Sequence, residues 1–176
     1  FFTYSELEKF PEWPEGPMLE LYNGELYVVP SPSVEHQEIA SELNMQFRMF
    51  VKQRGLGRVF SAPIDVVFSD EDAVIPDLIY ISEDNSGIIT ETAIVGVPDL
   101  ILEITSNNRK HDLVDKKELY ERCAVREYWI VDRQERLVYV YLLSGGRYEP
   151  VKEYPFTKPI PVKAIVDLHI NLTDYA

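Results

Sequence analysis

Apolar positions recur along this chain at two different periods, and the switches between them outline its elements. Ile39, Leu43, Phe47 and Phe50 keep the three-to-four-residue spacing of one helix face. They predict a long helix over about residues 34–53, with Ser33 as its N-cap and Gly55 as its stop. Two short runs, 19–22 and 25–29, flank Asn23-Gly24, a dipeptide suited to the positive φ angles of a two-residue turn, and predict a hairpin. Further strands are predicted near 57–61, 64–68, 78–81, 100–105, 128–132 and 137–143. Thr3 and Glu6 have capping-box spacing, which predicts a short opening helix near Leu7 and Phe10, ended by Pro11, Pro14 and Pro17. Asp70-Glu71-Asp72 reads as a turn, 86–95 as a short helix or loop, and 112–123 as a second helix. Gly145-Gly146 turns into a short strand, and 165–170 adds one more. Strands flanked by one long and one medium helix make an α/β domain with a mixed sheet.

One polar residue breaks this pattern where it should hold best. Glu103 interrupts the run Leu100-Ile101-Leu102-Glu103-Ile104, which otherwise reads as a strand buried on both faces. A carboxylate there costs several kcal/mol unless a cation or a proton answers it. Alternation sets Asp99, Ile101, Glu103 and Thr105 on one face. Asp77 follows Pro76 at the mouth of another apolar strand, Leu78-Ile79-Tyr80-Ile81. If the two strands are neighbours, Asp77 and Glu103 converge on one cation, and oxygen ligands without a histidine or cysteine cluster select magnesium or manganese. On a helical wheel Leu113, Lys116, Tyr120 and Cys123 share a stripe, while Lys117 lies about 100° round from Lys116. Lys116 therefore turns inward, flanked four residues away by Asp112 and Tyr120, which can fix its direction. Plainer readings stand beside these: Glu103 and Lys116 as a buried salt bridge, Asp77 as a turn-former, and His36 as a structural histidine.

Composition narrows the setting. The chain has 176 residues, enough for one full core and too few to expect two domains. No apolar run approaches the ~20 residues of a membrane helix, and no secretory signal is recognisable. Residue 1 is Phe, so preceding residues are expected. The single cysteine, Cys123, excludes an internal disulfide or a cysteine metal cage and suits a reducing cytoplasm. A formal charge of −13 speaks against a broad nucleic-acid footprint. Basic residues gather in two places, Arg48 to Arg58 and Arg109 to Arg126, where a local basic rim is conceivable around an acidic centre.

A resemblance adds to this reading. Asn23-Gly24-Glu25-Leu26, Pro30-Ser31-Pro32 followed by His36, Pro76-Asp77-Leu78, Pro98-Asp99-Leu100 through Ser106, Asp112 with Lys116 and Tyr120, and then Val125-Arg126-Glu127-Tyr128-Trp129-Ile130-Val131-Asp132 occur in the order of the Uma-type restriction endonucleases. The chain resembles that family from about Tyr4 to Leu143. The family falls in the PD-(D/E)XK nuclease superfamily, so the resemblance implies a restriction-endonuclease-like core, a mixed sheet flanked by helices. It implies Asp77 and Glu103 as magnesium ligands, the Ile104 carbonyl as a third, and DNA as substrate. The superfamily pattern has lysine where this chain has Thr105, and the resemblance implies that Lys116 takes its place. His36 and Glu38 on the long helix are weaker supporting candidates. The expectation is a magnesium- or manganese-dependent endonuclease, catalysed by Asp77, Glu103 and Lys116, and a homodimer or higher homo-oligomer if both strands of a duplex are cut. The alternative is a nuclease fold that binds or regulates without cutting.

Overall fold

The computed structural model describes residues 1–10, 17–108 and 111–176, without the side chains of His111 and Asp112. The expected helix stops at Pro11 and Pro14, the basic pair Arg109-Lys110 and the side chain of Asp112 therefore lie outside the described residues. The chain opens with α1 (Tyr4–Leu7), capped at its N-terminus by a full Thr3–Glu6 capping box. The hairpin forms as expected, with β1 (Leu19–Tyr22) and β2 (Glu25–Val28) joined through Asn23 and Gly24 at φ 50° and 75°. Then comes α2 (Val34–Arg54), N-capped by Ser33 and stopped by Gly55 in the left-handed region.

After α2 come β3 (Gly57–Ser61), β4 (Val66–Ser69), β5 (Asp72–Val74), β6 (Leu78–Ser82), a 3-10 segment (Glu83–Ile88), β7 (Ile94–Val95) and β8 (Leu100–Ile104). A π-helical turn (His111–Asp115) leads into α3 (Lys116–Arg122). The chain continues through β9 (Glu127–Asp132), β10 (Leu137–Ser144), β11 (Arg147–Tyr148) and β12 (Lys152–Pro155). It ends with β13 (Ile160–Pro161), β14 (His169–Ile170) and a last 3-10 turn. Among the described residues, no helix is long and apolar enough to cross a membrane.

The larger sheet runs β11-β10-β9-β8-β6-β3, with β12 also pairing β10. It is mixed: β8 and β9 are parallel, while β6–β8, β3–β6 and β9–β10 are antiparallel. Parallel neighbours need a crossover, and α3 lies on it. One face of this sheet, with Leu78, Leu100, Leu102, Trp129 and Val131, packs on Ile39, Leu43, Phe47 and Val51 of α2. The other face, with Ile79, Ile81, Ile101, Tyr128 and Ile130, packs on Leu119 and Tyr120 of α3. It also meets Tyr22, Val66, Val74 and Ile94 of a second sheet, ordered β2-β1-β5-β4-β7.

Three expectations are corrected. Asp72 is not a turn residue but opens the unforeseen strand β5, buried and bound by the forked guanidinium of Arg122 at 2.8 and 3.0 Å. The second helix enters through a π turn, so its wheel holds only from Lys116 onward, and Leu113 and Cys123 are half-buried flanks. Strands β12 and β13, unforeseen, extend the C-terminal part.

Gly57 shows how tightly β3 meets β6. Its φ is +135°, and a Cβ there would stand 2.2 Å from the carbonyl oxygen of Ile81. Gly57→Ala is expected to lower stability by about 2–3 kcal/mol, read as a lower urea midpoint at an unchanged slope.

Candidate active site

Register brings the two acids together. Leu78 pairs with Leu102 and Ile79 with Ile101, so the residue before β6 lies at the end of β8 where Glu103 and Ile104 sit. Asp77 Oδ2 accepts the Ile104 N–H at 2.7 Å and lies 3.3 Å from His36 Nε2 on the first turns of α2. Glu103 is 2% exposed. Its Oε1 accepts the Tyr120 O–H at 2.5 Å, and its Oε2 lies 3.1 Å from Lys116 Nζ. The crossover helix thus delivers both partners of the carboxylate: Lys116 turns inward as the stripe predicted, and Tyr120 is found bonded to Glu103 itself.

Burial is the main influence on Glu103 and pushes its carboxyl up to about 8. Lys116 and the Tyr120 hydrogen bond oppose it, while the charges of Asp77 and Glu20 add to it. Tyr120 itself is raised well above the ordinary phenol range, first by burial and then by Glu103, so it stays a hydrogen-bond donor.

Glu20 is the acid that sequence reasoning missed. It is buried on β1, where Oε2 accepts the Tyr22 O–H and Oε1 the Ile75 N–H, each at 2.8 Å. Its signal was present: Glu20 interrupts Met18-Leu19-Glu20-Leu21-Tyr22 much as Glu103 interrupts its own strand, and alternation puts it on the face of Tyr22. Glu20, His36, Asp77, Glu103, Ile104 and Lys116 all line one cleft of about 460 Å³.

Other candidates are not gathered there. Glu38 is exposed and faces Tyr175 on the outer side of α2. Lys117 lies with its Nζ 5.6 Å from the centre of the Tyr141 ring, away from the acids. The expected basic rim is largely committed elsewhere: Arg122 pairs with Asp72, and Arg54 and Arg58 lie over the rings of Phe50 and Phe60.

Among the described residues, no three Asp, Glu, His or Cys side chains close into a metal cage of their own. The donors present nevertheless fit a hard cation of the magnesium type, which keeps several waters and takes only one or two carboxylates from a protein. Asp77 and Glu103 are the carboxylates that would meet such a cation, with the Ile104 carbonyl as the backbone oxygen beside them. A proton held on a buried carboxyl is also what a divalent cation would displace.

Comparisons with known proteins bear on the family and the fold. The profile of the Uma2 family, described as "Putative restriction endonuclease", matches residues 6–173. A crystal structure from Anabaena variabilis, described as "a putative nuclease belonging to DUF820", superposes with a TM-score of 0.80 at 22% identity. The match covers 99% of this chain and 97% of that one, and it establishes the shared fold. No curated protein matches the chain in sequence.

The raised Glu103 carboxyl gives a signed prediction. Without divalent cations the folded protein holds this proton more tightly than the unfolded chain, so its contribution is complete below about pH 4.5 and is lost as pH rises through about 8. Thermal melts in EDTA across that window should show falling stability, and Glu103→Gln, which cannot titrate, should show a flatter profile. Parallel profiles for the two proteins would refute the assignment.

Proposed function

The chain belongs to the Uma2 family, described as "Putative restriction endonuclease", and from that premise we propose that it is a magnesium- or manganese-dependent endonuclease of the PD-(D/E)XK type acting on DNA. The observation that carries this reading is the buried Glu103, bonded at once to Lys116 and Tyr120, beside an Asp77 locked onto the Ile104 N–H. A purely structural ion pair has no need of Asp77 and Glu20 nearby, since each further carboxylate makes a buried charge harder to hold.

Asp77, Glu103 and the Ile104 carbonyl are the groups that would hold the cation. When bound, it lowers the pKa of a coordinated water and takes up charge on the phosphoryl oxygens. The chain's own side chains do the rest. Tyr120 fixes one oxygen of Glu103, leaving the other to face Lys116. Lys116 holds its ammonium at the acid pair, where it can contact a scissile phosphate as negative charge builds. His36 steadies Asp77 from α2 through its Nε2 contact. Cutting both strands of a duplex takes two such sites, so we propose a homodimer on DNA, working in the cytoplasm.

A second reading is favoured by the net charge of −13: a nuclease fold that binds a basic protein partner and does not cut. Magnesium calorimetry separates the two, because a partner-binding fold needs no cation.

Supercoiled plasmid incubated with the protein and magnesium is expected to be nicked or linearised, and Asp77→Ala and Glu103→Ala should abolish this. Equal nicking by wild type and both variants would mean a contaminating nuclease. Lys116→Ala should remove cleavage by at least about 100-fold, on the scale of losing one transition-state donor, while calorimetry still shows magnesium binding. Lys117→Ala, which sits against Tyr141, should cleave as wild type does.

A further inference from the structure

The cleft contains a second cation that the chemistry above does not use. Arg133 follows the last residue of β9, and β9 runs parallel to β8 with Ile104 opposite Val131. That pairing sets Arg133 beside Thr105, two residues beyond Glu103. Its Nε donates to the Thr105 carbonyl at 2.7 Å, and its backbone N–H donates to Thr105 Oγ1 at 3.0 Å. Arg133 is 9% exposed and lines the same cleft as Asp77, Glu103 and Lys116. Among the described residues no carboxylate pairs with it, and its two Nη groups have no protein partner.

That combination asks for a ligand. Burying most of a guanidinium without a counter-charge is unfavourable, and this one is held by a single neutral carbonyl. Gripping the arginine through Nε leaves its two Nη groups as a planar fork, the geometry that matches two oxygens of a phosphate. Among the described residues, the other basic side chains near the site differ: Arg122 is spent on Asp72, and Lys116 is bonded to Glu103. Thr105 is also the residue that stands where the superfamily pattern has lysine. Its carbonyl and hydroxyl instead seat an arginine from the next strand.

We propose that Arg133 is a phosphate-binding residue of the cleft, taking a backbone phosphodiester of the nucleic acid through its Nη fork while Lys116 serves the acid pair. This rests on the nuclease reading for the identity of the ligand, but not for the existence of the anion site. It gives an acidic molecule a local means of holding a polyanion close to Asp77 and Glu103. Arg133 is a binding and positioning residue, since the reacting phosphate lies at the acids.

The test is binding, separate from cleavage. A fluorescently labelled DNA duplex is titrated with protein in EDTA at several salt concentrations, using wild type, Arg133→Gln and Arg133→Lys, each first checked by thermal melting. Arg133→Gln is expected to weaken binding about tenfold and to reduce the slope of log K against log salt by about one, the signature of one lost phosphate contact. Arg133→Lys, which keeps the charge and loses the fork, should recover the slope and only part of the affinity, and it carries the comparison if Arg133→Gln does not fold. Unchanged affinity and slope in both variants would overturn the proposal. If wild type binds no DNA with or without magnesium, the nuclease reading falls, and inorganic phosphate then decides the anion site. The Arg133 Nε–H resonance, protected by Thr105 and assigned by its absence in Arg133→Lys, should shift on phosphate addition. No shift would dispose of the anion site as well.

Discussion

A carboxylate buried in the middle of a sheet constrains everything built around it. Glu103 sits on the same face as Ile101, with apolar strands to either side, and only a sliver of it borders the cleft. Its solvation must therefore come from the protein. Two hydrogen-bonding groups on successive turns of one helix supply it, which obliges α3 to lie over this face in one orientation. The parallel pairing of β8 and β9 makes a crossover there necessary in any case. Acid and counter-charge thus arrive on one continuous segment, and Asp77 enters from the antiparallel side through its bond to the Ile104 N–H.

The charge of the whole molecule and the charge of the cleft follow different rules. Acidic residues outnumber basic ones by 13, yet most of the excess lies on the surface, where solvent and salt screen it. Inside the cleft screening is weak, and a few groups decide the potential: three carboxylates against Lys116 and Arg133. A global count is a poor guide to such a site, because each interior charge is weighted by its burial.

Much of this was legible in the sequence, and the failures have physical causes. The hairpin, α2 and its caps were readable because Asn23-Gly24, Ser33 and Gly55 meet local backbone demands that no tertiary contact needs to complete. Lys116 was readable because one turn of regular α-helix separates it from Tyr120. The π turn before it blurred the stripe at Leu113. Strand β5 was hidden because its three residues begin with an aspartate, the usual mark of a turn. Partners about fifty residues away on either side, Arg122 and Asn23, make Asp72 acceptable inside. Arg133 escaped for a similar reason, since what gives it meaning is Thr105, distant along the chain; Glu20 did interrupt an apolar strand, and only its bond to Ile75 was out of sight.

Asp72 also works as a joint. Burial alone would favour its neutral form, but the Arg122 fork and the Asn23 N–H hold the carboxyl below its ordinary range, so it stays an anion that both can grip. Through that one side chain the hairpin turn, the smaller sheet and the last turn of α3 are tied together. The hairpin carries Glu20 and the helix carries Lys116 and Tyr120, so the spacing between the third acid and the lysine is set by a linkage that lies outside the cleft. The arrangement behaves like an instrument mount, with alignment adjusted at a screw some distance from the lens. A loosened turn at Asn23-Gly24 would be felt in the cleft as a tilt of one bearing surface against another, with none of the cleft's own side chains replaced.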